Sequence, residues 1–163
     1  MVKKWIVPVL MILCLTGCRA EETFETVEDV YIRQVLAPAR EIVVSLPEAA
    51  AAPAAESEAG TIYQCDGYEI ILQTREGGDM DETIRHISGY ERSELTVMYS
   101  SLSDIDRYAL VWACMGEEGE RVGKSVILDD GSYHYALTVL ADADRTEEYA
   151  QVWNQMFDSF CLG

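Results

Sequence analysis

Residues 130–160 read Asp130-Gly-Ser-Tyr133-His134-Tyr135-Ala136-Leu137-Thr138-Val139-Leu140-Ala141-Asp142-Ala-Asp144-Arg-Thr146-Glu147-Glu148-Tyr149-Ala-Gln-Val152-Trp153-Asn-Gln-Met156-Phe157-Asp-Ser-Phe160. The first part, 133–141, is rich in aromatic and aliphatic residues behind an Asp-Asp-Gly turn and predicts a strand. In the second part Tyr149, Val152, Trp153, Met156, Phe157 and Phe160 recur at i, i+3, i+4, i+7, i+8 and i+11, the apolar face of one helix. Asp144 or Thr146 is expected to cap that helix, and Glu147 and Glu148 suit its first turn. A helix with a single apolar face must bury it against another layer, and a sheet built on 133–141 is the partner at hand.

Working back along the chain, residues 121–128, 107–115 and 95–100 read as further strands joined by short Asp- and Gly-rich links, which makes them antiparallel neighbours. Residues 61–65 and 68–74 flank Asp66-Gly67, a hairpin signal. Gly77-Gly78 ends the second of these. Asp79 then reads as an N-cap with Glu82 in the capping-box position, and the helix runs to about Ser88, with Gly89 as its C-terminal cap. Upstream, 40–46 reads as a strand closed by Pro47, and 48–60 as a low-complexity loop with too few large apolar groups to pack. Residues 30–36 are ambiguous between linker and edge strand. The fold class is α+β, an antiparallel sheet flanked by two helices.

The chain has 163 residues, 12 basic and 29 acidic, for a formal charge of −17, and 49% of its residues are hydrophobic. That composition suits a globular domain and excludes collagen-like or coiled-coil chains. It also excludes nucleic acid as a partner, because phosphate recognition needs a basic surface.

The amino terminus has Lys3 and Lys4 followed by thirteen uncharged, mostly apolar residues. This is the layout of a secretory signal, and it is short of the roughly 20 apolar residues of a permanent span. It ends in Leu15-Thr16-Gly17-Cys18, which resembles a bacterial lipobox: an aliphatic residue, a small residue, Gly or Ala, then Cys. The resemblance implies cleavage between Gly17 and Cys18 and a diacylglyceryl thioether on Cys18. Two acyl chains, at about 0.8 kcal/mol per buried methylene, satisfy the two-signal requirement for stable anchoring. The expected organisation is a signal peptide over 1–17, a lipidated acidic tether over 18–39, and an α+β domain over 40–163 that includes the loop at 48–60. Residues 61–163 hold twenty acids and seven bases, net −13. An anionic bilayer repels such a body within a Debye length of about 8 Å, so the lipid does the anchoring.

Cys65, Cys114 and Cys161 remain beyond Cys14 and Cys18. Outside the cytoplasm they allow one disulfide and one thiol, for which Cys65 and Cys161 are the candidate pair; three free thiols fit the count equally. Their spacing matches no zinc pattern. No nucleophile elbow is present, and His86 and His134 show no partner spacing. His134 is expected to face away from Tyr133 and Tyr135, because adjacent strand residues alternate. Asp104/Asp106, Asp129/Asp130 and Asp142/Asp144 are paired carboxylates in turns, where Asp is also the ordinary turn residue. The run from Asp142 to Thr146 lacks the Gly and Glu of a calcium loop. No catalytic residue, cofactor or metal ligand is assigned.

The end of the chain, Asp130-Gly-Ser-Tyr-His-Tyr followed by a helix and Ser159-Phe-Cys-Leu162, is similar to the PsbP-like α/β sandwich. The chain also resembles small lipoproteins of Gram-positive gut bacteria. These likenesses imply an extracytoplasmic protein held to the cell membrane through Cys18. The expected role is non-enzymatic, meeting a protein or envelope partner; the alternative is an extracytoplasmic enzyme or small-ligand binder.

Overall fold

The computed structural model describes residues 37–163 except Ala59 and Glu118. The expected signal segment, the Cys18 anchor, the strand option at 30–36 and nearly all of the tether lie outside the described residues.

Strands β1 (Ile42–Val43), β2 (Ala55–Ser57), β3 (Gly60–Cys65) and β4 (Tyr68–Glu76) precede helix α1 (Met80–Ser88). Then follow β5 (Val97–Leu102), β6 (Ile105–Met115), β7 (Glu120–Asp129), β8 (Tyr133–Asp142), helix α2 (Thr146–Ser159) and β9 (Cys161–Leu162). Seven strands form one antiparallel sheet in the order β2-β3-β4-β8-β7-β6-β5, and β1 pairs with β9 in a separate two-stranded ribbon. After β4 the chain crosses by α1 to the far edge and returns strand by strand until β8 closes against β4.

Alternation along β8 divides the core. Tyr135, Leu137, Val139 and Ala141 face α2 and pack with Tyr149, Trp153, Met156, Phe157 and Phe160. Ala136 and Leu140 face α1 and join Met80, Ile84, Leu110, Trp112 and Ile127. A central strand covered on both sides is apolar nearly throughout, which explains the weak alternation of 133–141. Each fully buried large side chain contributes about 1.5–3 kcal/mol. The Trp112 ring lies across Gly123, its directly paired neighbour on β7: a Cβ at Gly123 would come within 2.3 Å of the indole.

Several expectations need correction. Only Ile42 and Val43 of 40–46 are strand, because the single edge within their reach is the two-residue β9. Ile42, Val44 and Leu46 instead turn inward onto the core. The segment 48–60 is not a bare loop: Ala50 is buried in a one-turn 3-10 helix, and β2 pairs with β3. Edge pairing uses main-chain groups alone, so the exposed Ala55, Glu56 and Ser57 need no apolar face to form it. Asp79 caps α1 through Asp81 N–H at 2.9 Å and Gly89 ends it at φ 80°, but the reciprocal capping box belongs to the next turn, between Glu91 and Glu94. Neither Asp144 nor Thr146 caps α2. The 3-10 turn Ala143–Arg145 runs straight into the helix, leaving no extended residue for a capping side chain. The Cys65–Cys161 bridge is not formed: all three described cysteines are free. Cys65 is buried at the end of β3, whereas Cys161 points outward between inward-facing Phe160 and Leu162.

Candidate functional site

The β7–β8 turn sets Asp129 directly opposite His134. Gly131 N–H donates to Asp129 Oδ1 at 2.8 Å, which aims Oδ2 at His134 Nε2, 3.5 Å away. The next residue does a different job. Asp130 accepts from the N–H groups of Ser132 and Tyr133 and from the Tyr135 hydroxyl, at 2.8–2.9 Å. Partial burial works to raise its pKa, but these three donors and nearby Arg40 outweigh that and hold it below the usual value. Asp129 and Asp130 are therefore not a working carboxylate pair, since one serves His134 and the other Tyr135 on the opposite face.

His134 does face away from Tyr133 and Tyr135, toward α1. Met80, Thr83, Ile84 and Ile87 recur at helical spacing on the inward side of α1, so Thr83 puts a hydroxyl on an otherwise apolar face. Its Oγ1 lies 2.7 Å from His134 Nδ1, and both residues are 2% exposed. Burial pushes the His134 pKa below its ordinary value; Asp129 pulls it back up and Arg75 lowers it further. The imidazole is thus neutral at neutral pH. With Nε2–H directed at Asp129, Nδ1 accepts from the Thr83 hydroxyl.

Thr83, His134, His86 and Ile87 line one side or floor of a cavity of about 220 Å³, with Gln73, Thr74, Arg75 and Ala136 completing it. Both histidines of the chain therefore meet here. Sequence spacing could not bring them together, because the pairing of β4 with β8 sets Arg75 opposite His134. One signal was available: a Thr in the second inward position of an amphipathic helix.

A carboxylate, an imidazole and a hydroxyl in series form the geometry of a nucleophile relay. Here Thr83 and His134 are each only 2% exposed, so the relay presents little surface to a reacting carbonyl. The other candidate groups are dispersed. Asp106 accepts from Tyr99 Oη at 2.9 Å, and Asp142 lies 3.8 Å from Arg121, which also meets Glu69 at 3.2 Å. Tyr133 and Tyr135 lie on the α2 side and Tyr99 and Tyr108 on the other, so the four make no common stacking surface. Among the described residues no cluster of His, Cys, Asp and Glu could hold a metal ion.

The far edge differs in character. β5, Val97-Met98-Tyr99-Ser100-Ser101-Leu102, pairs on one side only among the described residues and carries no charge, Pro or Gly. Met98 (63% exposed), Leu102 (80%) and Met115 (80%) project with Val111 from the α2 side of β5 and β6.

Neither a protein-family model nor a curated protein sequence matches the chain. The fold is similar to that in the crystal structure of LpqN, involved in cell envelope biogenesis of Mycobacterium tuberculosis, with a TM-score of 0.52 and 13% sequence identity. The match covers 76% of this chain and 84% of that one. At that identity the likeness extends to the α+β fold and not to any site residue.

Proposed function

We propose that this protein is a lipid-anchored, extracytoplasmic and non-enzymatic module of the cell envelope that docks a protein partner on its open sheet edge. The observation that carries the reading is Leu15-Thr16-Gly17-Cys18 behind Lys3, Lys4 and an apolar run. No helix among the described residues is long and apolar enough to cross a membrane, and in this reading attachment falls to Cys18. The fold shared with LpqN supports an envelope role. The PsbP-like relationship belongs to the same proposal and rests on residues 130–162.

The docking half rests on β5. Open N–H and C=O groups on an uncharged edge invite strand addition, and natural edges ordinarily carry charges or Pro to prevent it. The net −13 of residues 61–163 disfavours both a second copy and an anionic bilayer as the occupant. The occupant is an extended, neutral or basic segment of another envelope protein. The burial of Thr83, 2% exposed, supports the non-enzymatic part.

Cys18→Ala tests the anchor. The unaltered protein is expected in the membrane fraction with acyl mass on its amino-terminal peptide, and the variant in neither condition. An equally membrane-bound variant, or an unmodified terminal thiol in the unaltered protein, refutes the reading. The cavity below α1 favours a second reading, extracytoplasmic binding of a small ligand, because it gathers Arg75 and both histidines in one apolar-walled space.

A further inference from the structure

The eight residues lining the α1 cavity include no acid, although twenty of the 103 residues from 61 to 163 are Asp or Glu. On a body this acidic, such a gap repels an anion less than the carboxylate-bearing surface does. Arg75 stands on its rim in an unusual position. Four of the eight described cations, Arg85, Arg92, Arg121 and Arg145, hold carboxylates. Three more, Arg40, Arg107 and Lys124, donate to carbonyl or amide oxygens. Among the described residues Arg75 is the one cation that meets no oxygen, although acids outnumber bases in the chain by 29 to 12.

We propose that this cavity binds a small organic carboxylate, with Arg75 and His86 holding the anionic head and Ile87 and Ala136 receiving its apolar body. The inference rests on the small-ligand reading above and names the class of ligand. An arginine fork matches a carboxylate in two parallel hydrogen bonds, and a lysine does not. Gln73 supplies a further amide donor to the lining. His134 is already committed to Thr83 and Asp129, so it forms the wall and does not take the head. Filled at about half to three quarters of its 220 Å³, the space takes a body of roughly eight to ten heavy atoms.

The two histidines give two imidazole signals, both inside the site, so nuclear magnetic resonance of the full chain in neutral detergent reports binding directly. The probes are benzoate and its neutral near-isostere benzamide. Benzoate is expected to move both signals saturably, and benzamide to bind about tenfold or more weakly. Arg75→Gln should lose a similar factor for benzoate only, and Arg75→Lys should fall between, because it keeps charge without the fork. Arg75 is exposed, so these variants should fold, and an unchanged far-ultraviolet circular dichroism spectrum checks that they have. Equal affinity for the two probes, or an unaffected Arg75→Gln, overturns the carboxylate assignment while leaving a ligand cavity. If neither probe moves either signal up to tens of millimolar, the small-ligand reading falls with it.

Discussion

Thr83→Val is the sharpest perturbation of the buried Thr83–His134–Asp129 chain. Valine has nearly the volume of threonine, so the substitution opens no cavity and removes one hydroxyl. Thr83 Oγ1 sits 2.7 Å from His134 Nδ1, and both residues are 2% exposed, so the lost donor leaves Nδ1 shut off from bulk water. An acceptor left buried without a partner costs about 1–3 kcal/mol. For a domain of this size each kcal/mol lowers Tm by about 3–5 °C. Thr83→Ser is the control, since it keeps the hydroxyl and loses one methyl, at about 0.8 kcal/mol. Urea unfolding at pH 7.5 measures both, with equal m-values required for the comparison. The imidazole titration provides a second readout. Loss of the Thr83 donor removes a bond made to the neutral ring, so the His134 pKa should rise in the Val variant and stay in place in the Ser variant. A Val variant as stable as the Ser variant, with an unmoved titration, would refute the hydrogen-bond account.

His134 also sets a pH dependence. Its pKa is lower in the folded chain than the ordinary 6.5, so on acidification the unfolded chain takes up the proton first. Stability should fall as pH drops below about 6.5, with a limiting slope near 1.4 kcal/mol per pH unit, and His134→Gln should flatten that part of the curve. Gly123→Ala places a methyl 2.3 Å from the Trp112 ring and should cost about 1–3 kcal/mol in thermal or urea unfolding by forcing the indole off its seat. Gly67→Ala meets a φ of 81° and sets its methyl against both the Arg145 guanidinium and the hydroxyl of buried Tyr149, so in the same unfolding assay it should cost at least the backbone strain of about 1–2 kcal/mol. Leu102→Lys on the β5 edge should change stability by less than about 0.5 kcal/mol while abolishing any crosslinked envelope partner seen with the unaltered chain in intact cells. A retained crosslink would remove that edge from the proposal.

Local spacing was enough to place α1 from Asp79 to Gly89, the Asp66-Gly67 hairpin, and the α2 face from Tyr149 to Phe160. Each of these depends on residues a few positions apart, where helical period, cap and turn chemistry act within a single element. The β2 strand was not legible, because Ala-Glu-Ser pairs through its main chain and its side chains carry no signal. The same holds for β9, whose two residues pair only because α2 delivers them beside β1. For the cavity, sequence supplied the chemical groups one by one: Arg75, Thr83, His86 and His134.

What the amino-acid order determined alone is the two helices and the long strands, their apolar faces and the lipobox-like segment ahead of them. Only the tertiary structure decided that β8 returns to lie against β4, which puts Arg75 beside His134 and α1 above both. The reason is physical. Strand pairing is made by backbone groups that every residue carries, so the choice of neighbour depends on how the two helix faces and the whole sheet bury their apolar surface together.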